Sequence, residues 1–296
     1  MRKRPFLIAS IMIGGIFLFF MLVMFTAGYL RSGSLISTST RQIGVLEITG
    51  TINNDRLVVR QIDTFREDDA IAAVVLRIDS PGGGVASSQE IYTELKRLAQ
   101  KKPLVVSFGS VAASGGYYLA MAGERLFANP GTITGSIGVV MSFPDYQELM
   151  GKVGIRTEVI KSGPYKDVGS AMRDMTDAER HLLNEMLTDV HSQFVEVVSK
   201  GRNVPIDELI PYVDGRIFTG RQALEFGLVD ELGGFNDAVA YAADKAGLKG
   251  RPELVYPPPE RKRLLQRYLN IVIDRYVGVD FGFKGSIGPQ YLWPGL

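Results

Sequence analysis

Ala72-Ala73-Val74-Val75-Leu76-Arg77-Ile78 runs straight into Asp79-Ser80-Pro81-Gly82-Gly83-Gly84. The first seven residues are apolar apart from one arginine and read as a mostly buried strand. The next six form a Gly-rich turn, and Ser88 to Ala99 beyond it suits a helix. The same order recurs downstream. Pro103 to Phe108 is a second apolar run, followed by a Gly-containing turn and a helix-compatible segment, Ser114 to Ala122. Strands alternating with helices predict an α/β fold with a largely parallel sheet.

Outward from this centre, Ile43 to Ile48 adds a strand upstream, and Ile137 to Met141 and Thr157 to Ile160 add two downstream. Thr176 to Val198 is the clearest helix. Ala178, Leu182, Leu183, Met186, Leu187, Val190, Phe194, Val197 and Val198 recur at helical spacing, and Thr176-Asp177-Ala178-Glu179 forms a capping box. Short helices are expected at Gly220 to Phe226 and Phe235 to Ala246. Pro257-Pro258-Pro259 then interrupts regular structure. Arg261 to Val277 follows, basic at its start and apolar along one face; it suits a subunit contact, a membrane-surface helix or an ordinary terminal helix. No internal repeat or low-complexity tract occurs, so tandem domains are not indicated.

The first part of the 296-residue chain differs from the rest. Pro5 to Leu30 carries no charge over 26 residues, and Arg2, Lys3 and Arg4 precede it. A bilayer core is crossed by about 20 apolar residues in a helix. The alternative, a cleaved signal peptide, has an apolar region of about 7–15 residues and an A-x-A-like site, which this stretch lacks. The expected organisation is a cytoplasmic N-terminus (1–4), a transmembrane anchor (5–30), a Ser/Thr-rich linker (31–42), a main domain (43–256) and a C-terminal extension of unassigned role (257–296). The basic flank places the N-terminus in the cytoplasm and the remainder outside it. A net charge of +1 gives no broad nucleic-acid footprint. The absence of cysteine excludes thiol chemistry, disulfides and Cys-based zinc sites. His181 and His191, the only histidines, have no metal-ligand spacing, and no metal or cofactor is expected.

Three stretches carry chemistry. Asp79 to Gly84 exposes backbone N–H groups that can hold a phosphate or an oxyanion, although a tight structural turn needs the same glycines; it lacks P-loop spacing. Ala112-Ala113-Ser114-Gly115-Gly116-Tyr117-Tyr118 puts a serine among small neighbours where a helix starts. That serine is either a reachable nucleophile or a simple N-cap. Lys161-Ser162-Gly163-Pro164-Tyr165-Lys166-Asp167 supplies a lysine. It is a base if burial or a like charge favours its neutral form, and otherwise a solvated surface group. Both histidines lie on the long helix, away from the turns.

Asp-Ser-Pro-Gly-Gly, Ala-Ser-Gly-Gly-Tyr-Tyr, Thr134-Gly135-Ser136-Ile137-Gly138 and Ser-Gly-Pro-Tyr-Lys-Asp occur in this order. Together they resemble the signal peptide peptidase A family in its short bacterial form, over roughly Ile43 to Gly247. The resemblance implies a Clp protease/crotonase-like superhelix of strand-strand-helix units behind one transmembrane helix. It implies Ser114 as nucleophile, Lys166 as general base, Ser136 as the residue orienting the lysine, and Gly83 and Gly115 as oxyanion-hole donors. It further implies remnant signal peptides and other unfolded peptides as substrates, a homo-oligomeric ring, and a place in the bacterial inner membrane. The competing readings are a crotonase-like acyl-CoA enzyme, a catalytically silent membrane scaffold, and a related protease acting on another membrane protein. The first needs neither Ser114 nor Lys166, and the second would tolerate their loss.

Overall fold

The structure is a computed structural model that describes residues 12, 14–24, 41–53, 55–257 and 289–292. It separates into two units, residues 1–40 and 41–296. In the first unit residues 12 and 14–24 are helical with exposed side chains. The rest of the expected span over 5–30 lies outside the described residues, as do most of the expected linker and the segment Arg261 to Val277. No helix among the described residues is long and apolar enough to cross a membrane.

The second unit begins with β1 (Gln42–Thr49), α1 (Asp55–Glu67), β2 (Ile71–Ser80), β3 (Gly82–Gly84), α2 (Val85–Ala99), β4 (Leu104–Ala113) and α3 (Gly115–Ala120). β5 (Arg125–Ala128) and β6 (Ile133–Gly135) follow, then α4 (Gln147–Lys152), α5 (Asp177–Arg202) and α6 (Ile206–Leu209). It continues with β7 (Ile217–Thr219), α7 (Gly220–Glu225), β8 (Glu231–Leu232), α8 (Phe235–Lys245), β9 (Leu254–Val255) and β10 (Gln290–Leu292). The main sheet runs β7-β6-β4-β2-β1-β9, with β5 pairing both β4 and β8. All its pairs are parallel except β6 with β7, so the sheet is mixed.

Register explains why β2 and β4 read as apolar runs. Leu46, Leu76 and Val106 stand side by side, as do Val45, Val75 and Val105 one residue earlier. Successive residues point to opposite faces. Leu76, Ile78 and Val106 join a core with Ile62 and Phe65 of α1, Ile91 and Leu95 of α2 and Tyr117 of α3. Ala73, Val75 and Val105 pack instead with Ala238, Val239 and Ala242 of α8. A strand covered on both sides cannot alternate with polar residues. Arg77 is tolerated because its guanidinium donates to Ser107 Oγ at 2.8 Å and to the Phe108 carbonyl at 2.6 Å.

The expected helices over 88–99, 176–198, 220–226 and 235–246 are present with ends shifted by a few residues, whereas α1 has no counterpart in the sequence reading. The expected strands at Ile137–Met141 and Thr157–Ile160 do not form. The first is reduced to an isolated bridge at Val140, and the second has no strand partner among the described residues, with Ile160 95% exposed. The long helix α5 carries its capping box at Thr176 and Glu179, as its sequence predicts. Its apolar face is packed only in the second half: Phe194, Val195 and Val198 are buried, while Leu182 and Met186 are exposed.

The residues past Pro257 also contribute. β10 pairs antiparallel with β3, and Tyr291 is wholly buried in the larger core. These short strands, with a bridge from Ile52 to Gly83, form a small second sheet beside the end of β4.

Candidate active site

The two Gly-containing turns seen in the sequence lie at the ends of neighbouring parallel strands, β2 and β4. In such sheets, sites are built from the loops at the carboxyl ends of strands. Ser114 stands between Ala113, the last residue of β4, and Gly115, the first of α3. Its backbone has φ 53° and ψ −117°, a left-handed conformation costly for a serine. Two backbone bonds hold it there: Ser114 N–H donates to the Gly135 carbonyl, and Tyr118 N–H donates to the Ser114 carbonyl, both at 2.8 Å. Ser114 occupies the N-cap position of α3, yet its side chain accepts no capping bond. Its Oγ is buried with no hydrogen-bond partner. A buried hydroxyl left unpaired costs about 1–3 kcal/mol. The N-cap alternative does not account for this serine, because the capping bond is not made.

The glycines beside Ser114 are where two backbones meet. Gly82 has φ 105°, and a Cβ there would collide with the Tyr291 carbonyl oxygen and stand 2.7 Å from Gly115 N. A Cβ on Gly83 would meet Ile52 N at 2.6 Å. A Cβ on Gly115 would sit 2.7 Å from Ser88 Oγ and 3.1 Å from the Tyr291 carbonyl. The turns containing Gly83 and Gly115, the two expected oxyanion donors, are therefore in direct contact. Only glycine permits that approach.

Ser136 is joined to the same place through its neighbour, since Gly135 accepts the Ser114 N–H. Ser136 is itself left-handed, at φ 51°, and nearly buried; its N–H donates to the Arg216 carbonyl at 2.8 Å. Lys166 is different. It lies in an exposed turn closed by its N–H to the Gly163 carbonyl at 3.2 Å. With Ser114 Oγ unpartnered, no hydrogen bond links serine and lysine within this chain. The structure thus gathers Ser114, Ser136 and the Gly83 and Gly115 turns, while Lys166 is exposed and makes no hydrogen bond to Ser114.

The segment around Lys166 is nonetheless anchored. Asp167 takes Lys161 Nζ at 2.5 Å and Arg173 through Nη2 at 2.8 Å and Nε at 2.9 Å. Arg173 also grips Glu179 at 2.5 and 2.9 Å, tying the segment to the start of α5. Arg173 and then Lys161 hold the Asp167 carboxyl well below the carboxylate range. Arg173, followed by the Thr176 N–H, holds Glu179 down at about 2. Sequence spacing does not signal this clasp, nor the part that Tyr291 plays beside the glycines.

Neither histidine replaces the lysine. His181 is on the exposed face of α5, 3.3 Å from Glu185. His191 is half-buried with Nε2 unpartnered, so it too makes no bond to Ser114.

Comparison with known proteins bears on the family of the chain. The model of Peptidase family S49 matches residues 96–249, and that of Clp protease matches residues 39–133. A putative protease of Synechocystis is 48% identical over 214 residues, covering 71% of this chain and 77% of that protein. A putative signal peptide peptidase SppA of Enterococcus faecium is 37% identical over 66% of this chain and 59% of its own. Protease 4 of Haemophilus influenzae is 31% identical over 67% of this chain but only 34% of its own length. A strand-to-helix serine with a free hydroxyl, on a Clp protease-like mixed sheet whose sequence matches these proteins, identifies the chain as a member of peptidase family S49 and a serine peptidase of the SppA type.

Proposed function

We propose that the protein is a membrane-anchored endopeptidase that degrades remnant signal peptides with a Ser114/Lys166 dyad. The observation that carries the dyad's first half is the strained, buried Ser114 with an unpaired Oγ. A serine held in this state at a strand-to-helix turn suits nucleophilic attack, for which a paired hydroxyl would first have to be freed. Ser114 Oγ attacks a peptide carbonyl, and its proton passes to neutral Lys166. The Gly83 and Gly115 N–H groups hold the oxyanion, and Lys166 then protonates the leaving amine. Ser136 orients the lysine.

Lys166 reaches Ser114 when copies of the chain assemble. Lys166 is exposed, and so are Val153, Ile155, Val159, Ile160 and Tyr165 in the stretch before it. Leu182 and Met186 on α5 are exposed too. Clustered exposed apolar residues of this kind suit protein contacts. A neighbouring copy covers them in a homo-oligomeric ring and brings a lysine to each serine. Pro5 to Leu30 spans the bacterial inner membrane behind Arg2, Lys3 and Arg4, so the catalytic unit works outside the cytoplasm where cleaved signal peptides remain. The test is digestion of a synthetic signal peptide by the full chain in detergent micelles. Cleavage by the wild type and none by Ser114→Ala is the expected result; an intact peptide with both proteins would refute the reading.

A further inference from the structure

A run of three glycines does not hold its own shape, because glycine restricts neither φ nor ψ. Gly82, Gly83 and Gly84 are instead held from outside. Gly82 N–H donates to Ser80 Oγ at 3.1 Å, and Ser88 Oγ donates to the Gly84 carbonyl at 2.9 Å. Ile52 grips the same turn with its backbone. Its N–H donates to the Gly82 carbonyl at 2.8 Å, and its carbonyl accepts the Gly84 N–H at 2.9 Å.

These bonds fix one peptide plane. A trans peptide is planar, with its N–H and C=O pointing opposite ways. The Gly82 carbonyl and the Gly83 N–H belong to the same plane. With the carbonyl turned to Ile52, the Gly83 N–H points away from Ile52 and cannot rotate without breaking that bond. The two serine hydroxyls bond on either side of Gly83 and stop the flanking peptides from turning.

Ser80 and Ser88 are both 0% exposed. A buried hydroxyl costs free energy unless it is bonded, and alanine would fill either place without that cost. A serine bonded to the carbonyl four residues back is common in helices. Ser88 differs in what lies beside it: its Oγ is 2.7 Å from where a Gly115 Cβ would stand. One hydroxyl thus ties down the first glycine turn and lies against the second.

We propose that Ser80 and Ser88 are positioning residues of the oxyanion hole: with the Ile52 backbone, their hydroxyls aim the Gly83 N–H and set its spacing from the Gly115 turn. The inference rests on the Ser114 reading, in which Gly83 and Gly115 hold the oxyanion, and adds the side chains that keep those donors in place. Neither hydroxyl acts on the substrate directly. Their loss weakens binding of the transition state and leaves binding of the peptide itself unchanged.

The experiment compares wild type, Ser88→Ala and Ser80→Ala as full chains in detergent micelles. Each is assayed for kcat and KM on a synthetic signal peptide, and for inhibition by the aldehyde of that peptide ending at the cleaved bond. Ser114 adds reversibly to the aldehyde carbon, and the former carbonyl oxygen then sits in the oxyanion hole. Each variant should lose about tenfold to a hundredfold in kcat, as expected for slightly misplaced donors, with KM unchanged. The aldehyde should inhibit it more weakly by the same factor. A purely structural role would not divide the aldehyde from the substrate in this way. Folded variants with wild-type kcat, a loss confined to KM, or a loss of kcat with undiminished aldehyde inhibition overturn the inference. Should Ser88→Ala fail to fold, Ser80→Ala decides: the split between kcat and KM sustains the inference, and wild-type values overturn it. If Ser114→Ala cleaves the peptide as fast as wild type, the serine nucleophile itself is refuted, and the inference falls with it.

Discussion

At the scale of single residues, the site consists of positions where ordinary side-chain preferences are violated. Ser114 and Ser136 adopt left-handed backbones, and Gly82, Gly83 and Gly115 stand where any Cβ collides. Ser114→Ala should leave the fold intact, because the Oγ makes no hydrogen bond. Peptidase activity should fall on the order of a thousandfold or more, as measured by kcat/KM on a signal peptide. Gly82→Ala should abolish activity and destabilise the chain as well, since the new methyl meets backbone atoms that cannot rotate away; thermal melting separates this outcome from the purely catalytic loss in Ser114→Ala. The motifs that carry these residues were legible in the sequence. Their geometry was not, because nothing in Ala-Ser-Gly-Gly distinguishes an N-cap from a free hydroxyl until the capping bond is sought and found missing. Tyr291 was illegible for a different reason. Its role depends on contacts with residues some hundred to two hundred positions away, which no local spacing reports.

At the scale of elements, segments with a self-contained pattern were readable and those with borrowed partners were not. β2 and β4 appear as apolar runs because helices cover both faces. α5 announces itself by its capping box and its repeat. Thr157 to Ile160 has the composition of a strand but no strand partner among the described residues, and is irregular. The clasp between the Lys166 turn and α5 leads to an acid-sensitivity prediction. Glu179 in the fold titrates at about 2, and Asp167 is also depressed. Free carboxylates titrate near 4. A depressed folded value means the stabilisation is complete above about pH 4 and is lost as pH falls toward 2. Proteolysis within residues 161–173, followed against pH, should accelerate across that window. In Arg173→Ala the segment should be cut readily even at neutral pH, with little further change on acidification. If the variant is as resistant as wild type at pH 7, the clasp does not hold the segment.

At the scale of the whole molecule, the account depends on more than one copy of the chain. The catalytic unit has a finished two-sided core, yet leaves Ile160, Leu182 and Met186 uncovered and Lys166 unattached to Ser114. Ile160→Asp, at a residue without packing partners, should lower the oligomeric mass by light scattering and remove activity together, with the circular dichroism spectrum unchanged. Mixing inactive Ser114→Ala chains with inactive Lys166→Ala chains should restore part of the activity, because some neighbouring pairs then contain one intact serine and one intact lysine. No recovery after subunit exchange would place both groups within one chain. The sequence alone suggested a ring only through family resemblance. The structure adds a physical motive, since apolar surface of this kind is stabilised when a neighbour covers it.

The central claim is that Ser114 is the nucleophile, and the most direct measurement is where a fluorophosphonate attaches. The full chain is labelled, digested, and the modified peptide sequenced by mass spectrometry. A single phosphonylated residue at Ser114, lost in Ser114→Ala and much reduced in Lys166→Ala, is the result this account requires. Attachment at another serine, or undiminished labelling of Ser114→Ala, would contradict it.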